Sequence, residues 1–380
     1  MNTYRRWDLE LASGSGARLF DATGRSYIDC VAGIAVASVG HGHPALTEAI
    51  NRQASKLVHV SNLYHTGPAE ELAAELAALT GGMHTFLCNS GAEAIEAAIK
   101  LARKWGRSRG RHRIVAAEGG FHGRTLGALA ATGQPAKRTA FEPLPPGFSH
   151  VPFGDVEVLD DAVGGDVAAV LLEPIQGEAG VVVPPEGYLA AAREACARAG
   201  ALLILDEVQT GVGRTGAWWA HQHEGVPPDI MCIAKGLAGG LPIGACLAAP
   251  AVASTFEPGD HGCTFGGGPV QSGTALAVLE IIASEGLLER AKATGELLIQ
   301  GLAAIFSDAA DVRGRGLLIG VELLEPKARA VAEAALERGL LVNDATPSVV
   351  RLTPPLVITD DDIHEALEIL EEVAGATGTA

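Results

Sequence analysis

The stretch ALLILDEVQTG, residues 201–211, decides the fold class of this chain of 380 residues. Its apolar run from Ala201 to Leu205 has the continuous hydrophobicity of a strand covered on both faces, and Asp206 stands where that strand should end. Similar runs are AAVLLEP at 168–174, DIMCIAK at 229–235 and IGACLAA at 243–249. Such strands, separated by helical patterns, predict an α/β protein with a mostly parallel mixed sheet flanked by helices.

The same alternation extends in both directions along the chain. Further strands are predicted at HTFLC (84–88) and RIVAAE (113–118), and helices from Ala92 and over 188–199. A long helical pattern lies around 272–305, and the runs GLLIGVELL (316–324) and SVVRLTP (348–354) predict strands of a separate lobe. We therefore predict a large domain over 51–270 and a smaller α+β domain over 271–380, which the amino-terminal segment 1–50 joins.

Composition restricts the classes of partner and compartment. The 45 acidic and 28 basic side chains leave a net charge of −17, which repels nucleic acid and anionic membranes. The basic residues at 103–113 follow a helical pattern and are interpreted as a solvated helix end. The six cysteines form no C-x-x-C pair, and the terminus MNTYRRWDLELASG has no apolar signal region. We expect a cytoplasmic protein that binds neither nucleic acid nor membrane.

Two residues at predicted strand ends suggest cofactor chemistry. Asp206 would be costly to bury without a cationic or hydrogen-bonding partner, and a protonated pyridine nitrogen is one such partner. Lys235 leaves an apolar run into the glycine-rich segment GLAGGLPIG, where burial would make its amine nucleophilic. Taken singly, Asp206 is equally consistent with a structural arginine pair and Lys235 with a surface lysine. Together they favour pyridoxal 5'-phosphate (PLP).

Two other motifs fit the same cofactor. NSGAEAIEAAIKLAR (89–103) predicts a Ser-Gly turn that opens a helix, so Ser90 and the first backbone N–H groups would bind a phosphate, although Ser90 is also consistent with a plain helix cap. In GGFHGRTLGAL (119–129), Phe121 is suited to stack on a planar ring and Arg124 to hold a carboxylate. Glu178 in QGEAG and Arg351 in VVRLTPP carry little information singly.

In this order, the segments resemble the class III aminotransferases of PLP fold type I. The resemblance runs from VAGIAV at 31–36 to RLTPPL at 351–356, and LDEVQTGVGRTG and AKGLAGGLPIG are its most specific parts. Within the class, the segments are most similar to the branch that moves the δ-amino group of N2-acetyl-L-ornithine to 2-oxoglutarate in arginine biosynthesis. The resemblance implies PLP as cofactor, glutamate as a product, and a homodimer with shared active sites.

The resemblance also implies roles for individual residues. Lys235 would hold PLP as a Schiff base and Asp206 would pair with the pyridine nitrogen. The other cofactor contacts it implies are Ser90, Gly91 and Ala92 at the phosphate, Phe121, Val208 and Gln209 at the ring, and Thr264 at the phosphate bound by the other subunit. The substrate contacts it implies are Arg124 at the donor's α-carboxylate, Arg351 at the 2-oxoglutarate carboxylate with Glu178 as its alternate partner, and Asn62 and Cys263 beside the substrate.

The sequence departs from the family's pattern at three positions. Ile95 and Gly268 stand where asparagine is usual, and these changes should mainly alter local hydrogen bonding. Cys263 stands where serine is usual, and a thiol is the poorer hydrogen-bond partner, so affinity for the N-acetyl or carboxylate group could differ.

Other functions remain open at this point. Relatives with the same cofactor site act on ornithine, N-succinylornithine, 4-aminobutyrate or lysine-pathway semialdehydes. The run GVGRTG (211–216) satisfies the G-x-G-x-x-G pattern of an NAD-dependent dehydrogenase, but no convincing helix follows it. His221, His223 and Glu224 lack the i, i+4 spacing of a zinc site, and no metal is expected. A non-catalytic binding protein would have little use for both Lys235 and Asp206.

Overall fold

The computed structural model describes residues 1–309 and 311–379. Its amino-terminal segment is a small antiparallel unit followed by two helices. The elements are β1 (Leu11–Ser15), β2 (Arg18–Asp21), β3 (Ser26–Asp29), α1 (Pro44–Ala54) and α2 (Gly67–Leu79). Between β3 and α1, residues Ala32–Ala35 all have positive φ and form one left-handed turn, which the carboxylate of Asp29 stabilises by accepting the N–H groups of Val31 and Ala32.

A seven-stranded sheet forms the centre of the molecule. Its strands are β4 (His84–Cys88), β5 (Arg113–Ala117), β6 (Phe148–Val151), β7 (Val167–Leu172), β8 (Leu202–Asp206), β9 (Ile230–Ile233) and β10 (Gly244–Ala248). Their spatial order is β4-β10-β9-β8-β7-β5-β6, and only β10 runs antiparallel to its neighbours. Every residue of β7, β8 and β9 is buried, as expected for strands with helices on both faces. The predicted α/β fold class is confirmed.

Helices cover both faces of this sheet. They are α3 (Gly91–Arg107), α4 (Leu126–Ala131), α5 (Pro135–Arg138), α6 (Val156–Ala162), α7 (Tyr188–Ala199), α8 (Pro250–Ala253), α9 (Pro269–Ser284) and α10 (Leu287–Ile305). Helix α3 packs its alanine-rich face, with Ile95 and Leu101, against the sheet in one cluster, whereas α7 packs in a second. The small side chains of α3 bring its first turn close to the ends of the central strands.

The long helical pattern around 272–305 is helical in the structure but is divided, because the chain breaks there into α9 and α10. Glu285 ends the first helix, and Gly286 adopts φ 62° before Leu287. Glycine tolerates this left-handed conformation, which redirects the second helix. The apolar periodicity continues across the break because both helices bury residues in the same hydrophobic core, among them Ile282 and Leu298.

The carboxyl-terminal third forms a second antiparallel unit. Its elements are β11 (Asp311–Arg315), β12 (Leu318–Glu322), α11 (Ala328–Glu337), β13 (Leu340–Leu341), β14 (Asn343–Asp344), β15 (Val349–Leu352) and α12 (Asp360–Thr377). Strand β13 leaves this unit and pairs in parallel with β3, where Leu340 lies opposite Ile28. The amino-terminal segment thus contacts the carboxyl-terminal third, while the domain boundaries near 50 and 270 stay predictions.

Several cations of the basic run at 103–113 have partners close by. In this run, Arg113 pairs with Asp166, Lys104 pairs with Asp260, and Arg109 lies over the ring of Trp105.

Over residues 1–309 and 311–379, no helix combines the length and apolarity needed to cross a membrane.

Candidate active site

A cavity of about 440 Å³ opens at the carboxyl edge of the central sheet. Strands β7, β8 and β9 are parallel neighbours, so their last residues meet at one edge. Glu173, Asp206 and Lys235 follow or end these strands, and all three line the cavity. Ligands bind at this edge in open α/β sheets, which makes the cavity the candidate active site.

Asp206 is fixed at the floor of the cavity by two hydrogen bonds. Its Oδ2 lies 2.8 Å from Nδ1 of His122, and its Oδ1 accepts the backbone N–H of Val208 at 3.0 Å. Both Asp206 and His122 are buried. The sequence did not single out His122, and only its place in FHGRT, next to Phe121, offered a signal.

Glu173 is a buried carboxyl group close to this pair. Its oxygens accept the N–H groups of Phe121 at 2.8 Å and Gly177 at 3.0 Å. Burial raises the pKa of Glu173 to about 7, and the charge of Asp206 raises it too, while His122 and the two hydrogen bonds oppose the shift. A proton can therefore reside on Glu173 near neutral pH.

Lys235 projects from the loop that follows β9. Its backbone has φ 44°, an unusual conformation for a residue with a side chain, and such strain is typical of functional positions. The surrounding protein desolvates the amine and lowers the pKa of Lys235, whereas the carboxylate of Glu178 acts in the opposite direction. A lowered pKa increases the neutral, nucleophilic fraction of an amine.

The first turn of α3 also lines the cavity. Ser90 caps the helix, and its Oγ accepts the N–H of Glu93 at 3.3 Å. The N–H groups of Gly91 and Ala92 belong to the first turn, which has no intrahelical acceptors, so they can bind an anion. A Cβ at Gly91 would lie 2.8 Å from Cγ1 of Val208, so only glycine permits this close approach.

Three more of the predicted cofactor residues lie in the same cavity. Phe121, Val208 and Gln209 line it, together with Arg124, whose side chain is otherwise exposed. Asn89 and Val36 also line it and were not predicted. Val36 reaches the cavity because it follows the left-handed turn at Ala32–Ala35, which no periodicity in the sequence reveals.

Arg351 is buried beside this cavity and joins Glu178 to Gln209. Its Nη1 donates to Oε1 of Glu178 at 2.6 Å and to Oε1 of Gln209 at 3.1 Å, while Nη2 donates to Oδ1 of Asn343 at 2.7 Å. Although burial opposes it, the charge of Arg351, with that of Lys235, lowers the pKa of Glu178 to about 2. The pair predicted from residues 173 positions apart is thus formed.

The structure separates three predicted site residues from this cavity. Asn62, Cys263 and Thr264 line a second cleft of about 390 Å³. Asn62 is engaged as a donor to the carbonyl oxygens of Cys263 and Gly266, both at 3.0 Å, which holds the loop that carries Thr264. Within this chain, Asn62 and Thr264 therefore do not line the cavity of Lys235, because the loop faces the neighbouring cleft.

The three departures from the family's pattern have different surroundings. Ile95 is fully buried in apolar packing, and Gly268 caps the start of α9. Sγ of Cys263 accepts a hydrogen bond from Nδ2 of Asn89 at 3.0 Å. Since Asn89 lines the main cavity, this contact links the two clefts.

The features that suggested a dinucleotide or a metal have other roles. The segment 211–216 forms successive turns and opens no α-helix, so it lacks the geometry of a dinucleotide-binding turn. His221 contacts Glu207, whereas His223 contacts Thr215, so the two rings have separate partners. In the part of the chain that the structure describes, no group of three or more potential ligands is arranged for a metal ion.

Comparison with known proteins agrees with this geometry. The family model described as "Aminotransferase class-III" matches residues 3–374, nearly the whole chain. The chain belongs to the class-III aminotransferases. The expected family resemblance is confirmed, and so is PLP, the cofactor of this class.

Individual class-III aminotransferases are similar over almost their full length. The acetylornithine aminotransferase of Mycobacterium tuberculosis is 55% identical over 384 residues, covering 99% of this chain and 95% of its own. The N-acetylornithine aminotransferase structure from Stenotrophomonas maltophilia has a TM-score of 0.86 at 40% identity, covering 98% of this chain and 97% of its own. The ornithine aminotransferase from Toxoplasma gondii has a TM-score of 0.95 at 34% identity, with coverage of 100% and 93%.

The residues of this class-III cavity fit PLP. The glycine-only approach at Gly91 and the first turn of α3 form a phosphate cradle, and Asp206 offers a fixed carboxylate for a ring nitrogen. Phe121 and Val208 supply apolar surface for the ring, and Lys235 supplies the amine. These chemically different groups line a single cavity, as the cofactor requires.

Proposed function

We propose that this chain is an acetylornithine aminotransferase that moves the δ-amino group of N2-acetyl-L-ornithine to 2-oxoglutarate, and that it serves arginine biosynthesis in the cytoplasm. The observation that carries the proposal is the Arg351–Glu178 pair beside Lys235, with Arg124 as a further cation on the cavity. Two cationic positions suit substrates that carry a carboxylate away from the reacting group. Relatives named for this activity are 49–55% identical to the chain.

The residues of the cavity have distinct tasks in this reaction. PLP, when bound, supplies a ring that draws electrons from the substrate carbon bearing the amine. Asp206, held by His122, would present its carboxylate to the ring nitrogen. Lys235 acts as a base and then as an acid, because its pKa is lowered and its amine can move a proton at that carbon. Release of the aldehyde product before 2-oxoglutarate binds gives ping-pong kinetics.

The Arg351–Glu178 pair explains how one cavity accepts two unlike substrates. While an ω-amine end occupies the site, Glu178 neutralises Arg351 and no anion is required there. When 2-oxoglutarate or glutamate binds, its α-carboxylate competes with Glu178 for the guanidinium. In either arrangement the buried arginine keeps a negative partner. This matters because an unpaired charge is costly at a partly desolvated position.

We also propose a homodimer in which Thr264 acts on the phosphate bound by the other subunit. Thr264 is exposed on a loop whose neighbours Leu63, Tyr64 and Phe265 are 85%, 70% and 61% exposed. An exposed apolar surface of this kind favours association with another protein surface. A second copy placed there would bring Thr264 to a cavity that it does not line within its own chain.

Single-turnover kinetics of the holoenzyme would test the substrate. The loss of the bound cofactor's visible absorbance is followed with N-acetylornithine, ornithine, N-succinylornithine and 4-aminobutyrate. A second-order rate at least tenfold higher for N-acetylornithine, about 1.4 kcal/mol of transition-state preference, supports the proposal. A higher rate with another donor contradicts the substrate while preserving the reaction class. Lys235→Ala should abolish turnover, and Lys56→Ala, in the exposed turn after α1, should not.

Mixing two inactive variants would test the shared site. Lys235→Ala and Thr264→Ala are unfolded together and refolded in equal amounts at limiting PLP. Random pairing makes half of the dimers mixed. If Thr264 acts across the interface, each mixed dimer has one intact site of its two, so about one quarter of the parent activity returns. Activity no greater than the sum of the separate variants would contradict the arrangement.

A further inference from the structure

A second cation, Lys137, lies beside the aromatic wall of the cavity. Its Nζ is 4.7 Å from the ring centroid of Phe121, and Cζ of Arg124 is 5.5 Å from the same centroid. Contacts of this length are typical of cation–π interactions. Lys137 and Arg124 are thus two cations on one aromatic side chain of the active site.

The backbone around Lys137 fixes its position. Gly119 N–H donates to the carbonyl oxygen of Gly133 at 2.9 Å, and Gly133 N–H donates to that of Gly120 at 2.8 Å. Nε2 of Gln134 donates to the carbonyl oxygen of Gly119 at 2.7 Å. These bonds tie the start of α5, which carries Lys137, to the segment that carries Phe121. Lys137 does not itself line the cavity, but the fold holds it against Phe121, which does.

The charges that face Lys137 leave it without a close counter-ion. In the described residues, neither Lys137 nor Arg124 forms an ion pair within 4.0 Å, whereas Arg351 does so with Glu178. Partial burial lowers the pKa of Lys137, and Arg124 and Arg351 lower it as well, while Glu178 and Glu173 oppose the shift. A substrate anion between Lys137 and Arg124 would relieve the repulsion.

We propose that Lys137 is a specificity-determining residue that forms, with Arg124, a two-cation subsite for the carboxylate remote from the reacting amine. The inference rests on the proposed function and extends it. N-Acetylornithine presents this carboxylate beside an uncharged acetamide. Free ornithine presents it beside an α-ammonium group, which meets two cations instead of one. Lys137 therefore favours N-acylated donors by repelling the unacylated one.

Kinetics of the Lys137 variants would test this selectivity. Lys137→Met, Lys137→Arg and the exposed control Lys56→Met are prepared as holoenzymes and compared at equal cofactor content. In Lys137→Met, kcat/KM for N-acetylornithine should fall about two- to fivefold, as expected for a partly exposed charge contact, and the preference over ornithine should narrow. Lys137→Arg should retain the preference. Equal losses in the Met and Arg variants would overturn the proposal, because charge would then not matter.

Binding of glutarate would separate this inference from the proposed function. Glutarate has two carboxylates and no group that reacts with the cofactor, and its affinity for each holoenzyme is measured by calorimetry. The affinity should fall about two- to fivefold in Lys137→Met and stay unchanged in Lys56→Met. If the parent enzyme rejects N-acetylornithine but this loss is observed, the proposed substrate fails and the two-cation subsite stands. Unchanged glutarate affinity in Lys137→Met overturns the subsite whatever the donor.

Discussion

His122 Nδ1 lies 2.8 Å from Oδ2 of Asp206, and both side chains are buried at the end of β8. With Val208 N–H bonded to the other oxygen, each carboxylate oxygen of Asp206 has a partner. The imidazole therefore orients the carboxylate that faces the cavity.

Substitution of His122 should weaken the enzyme through Asp206. His122→Leu removes the hydrogen bond, and kcat should fall about 10- to 100-fold, as is typical when a supporting hydrogen bond to a functional group is lost. His122→Asn can still donate from an amide nitrogen and should recover part of the loss. Steady-state kinetics and PLP affinity would be measured for both variants. Equal defects in both would indicate a packing role instead of orientation.

Substitution of Glu178 should affect the two half-reactions differently. Glu178→Gln removes the counter-charge of Arg351, and the single-turnover rate with the amino donor should fall about tenfold or more, since breaking one side of a buried pair leaves an uncompensated charge. The affinity for 2-oxoglutarate should not fall, because its carboxylate no longer competes with Glu178. Equal losses in both half-reactions would contradict this switch.

The stability of the fold should depend on pH through Glu173. The pKa of Glu173 is raised from 4.5 to about 7, so between these values the folded protein holds a proton that the unfolded chain has released. This group's contribution to stability is therefore greatest below pH 4.5 and declines as the pH rises to about 7. Glu173→Gln should flatten that decline in urea unfolding of the protein at a series of pH values.

Glu178 provides a control of opposite sign. Its pKa is lowered from 4.5 to about 2, so its contribution to stability is present above pH 4.5 and is lost as the pH falls toward 2. Glu178→Gln should therefore lower stability at neutral pH and have less effect in acid. The same pH profile for Glu173→Gln and Glu178→Gln would argue against these assignments.

A methyl group at Gly91 should damage the phosphate cradle sterically. Its Cβ would lie 2.8 and 2.9 Å from the two Cγ atoms of Val208, closer than van der Waals contact allows. Gly91→Ala should weaken PLP binding, measured by equilibrium titration of the apoprotein. Val208→Ala removes both clashing atoms, so the double variant should recover affinity relative to Gly91→Ala. If the double variant binds no better, the clash is not the cause.

Much of the fold follows from local patterns in the sequence. The runs 167–172 and 202–206 lie on strands because continuous apolar side chains suit a sheet buried on both faces. Strand β6 escaped prediction since its sequence, FSHV, lacks that continuity. The break before α10 also escaped, because the apolar period continues across Gly286.

The sequence by itself determined that Asp206 and Lys235 lie at one edge of a sheet, because parallel neighbours bring their carboxyl ends together. It also determined the helix start at Ser90, since such a start is encoded within a few residues. Only the tertiary structure decided the pairing of Arg351 with Glu178, the position of Lys137 against Phe121, and the placement of Thr264 outside its own chain's cavity. These relationships depend on where distant loops pack, and no local periodicity records that information.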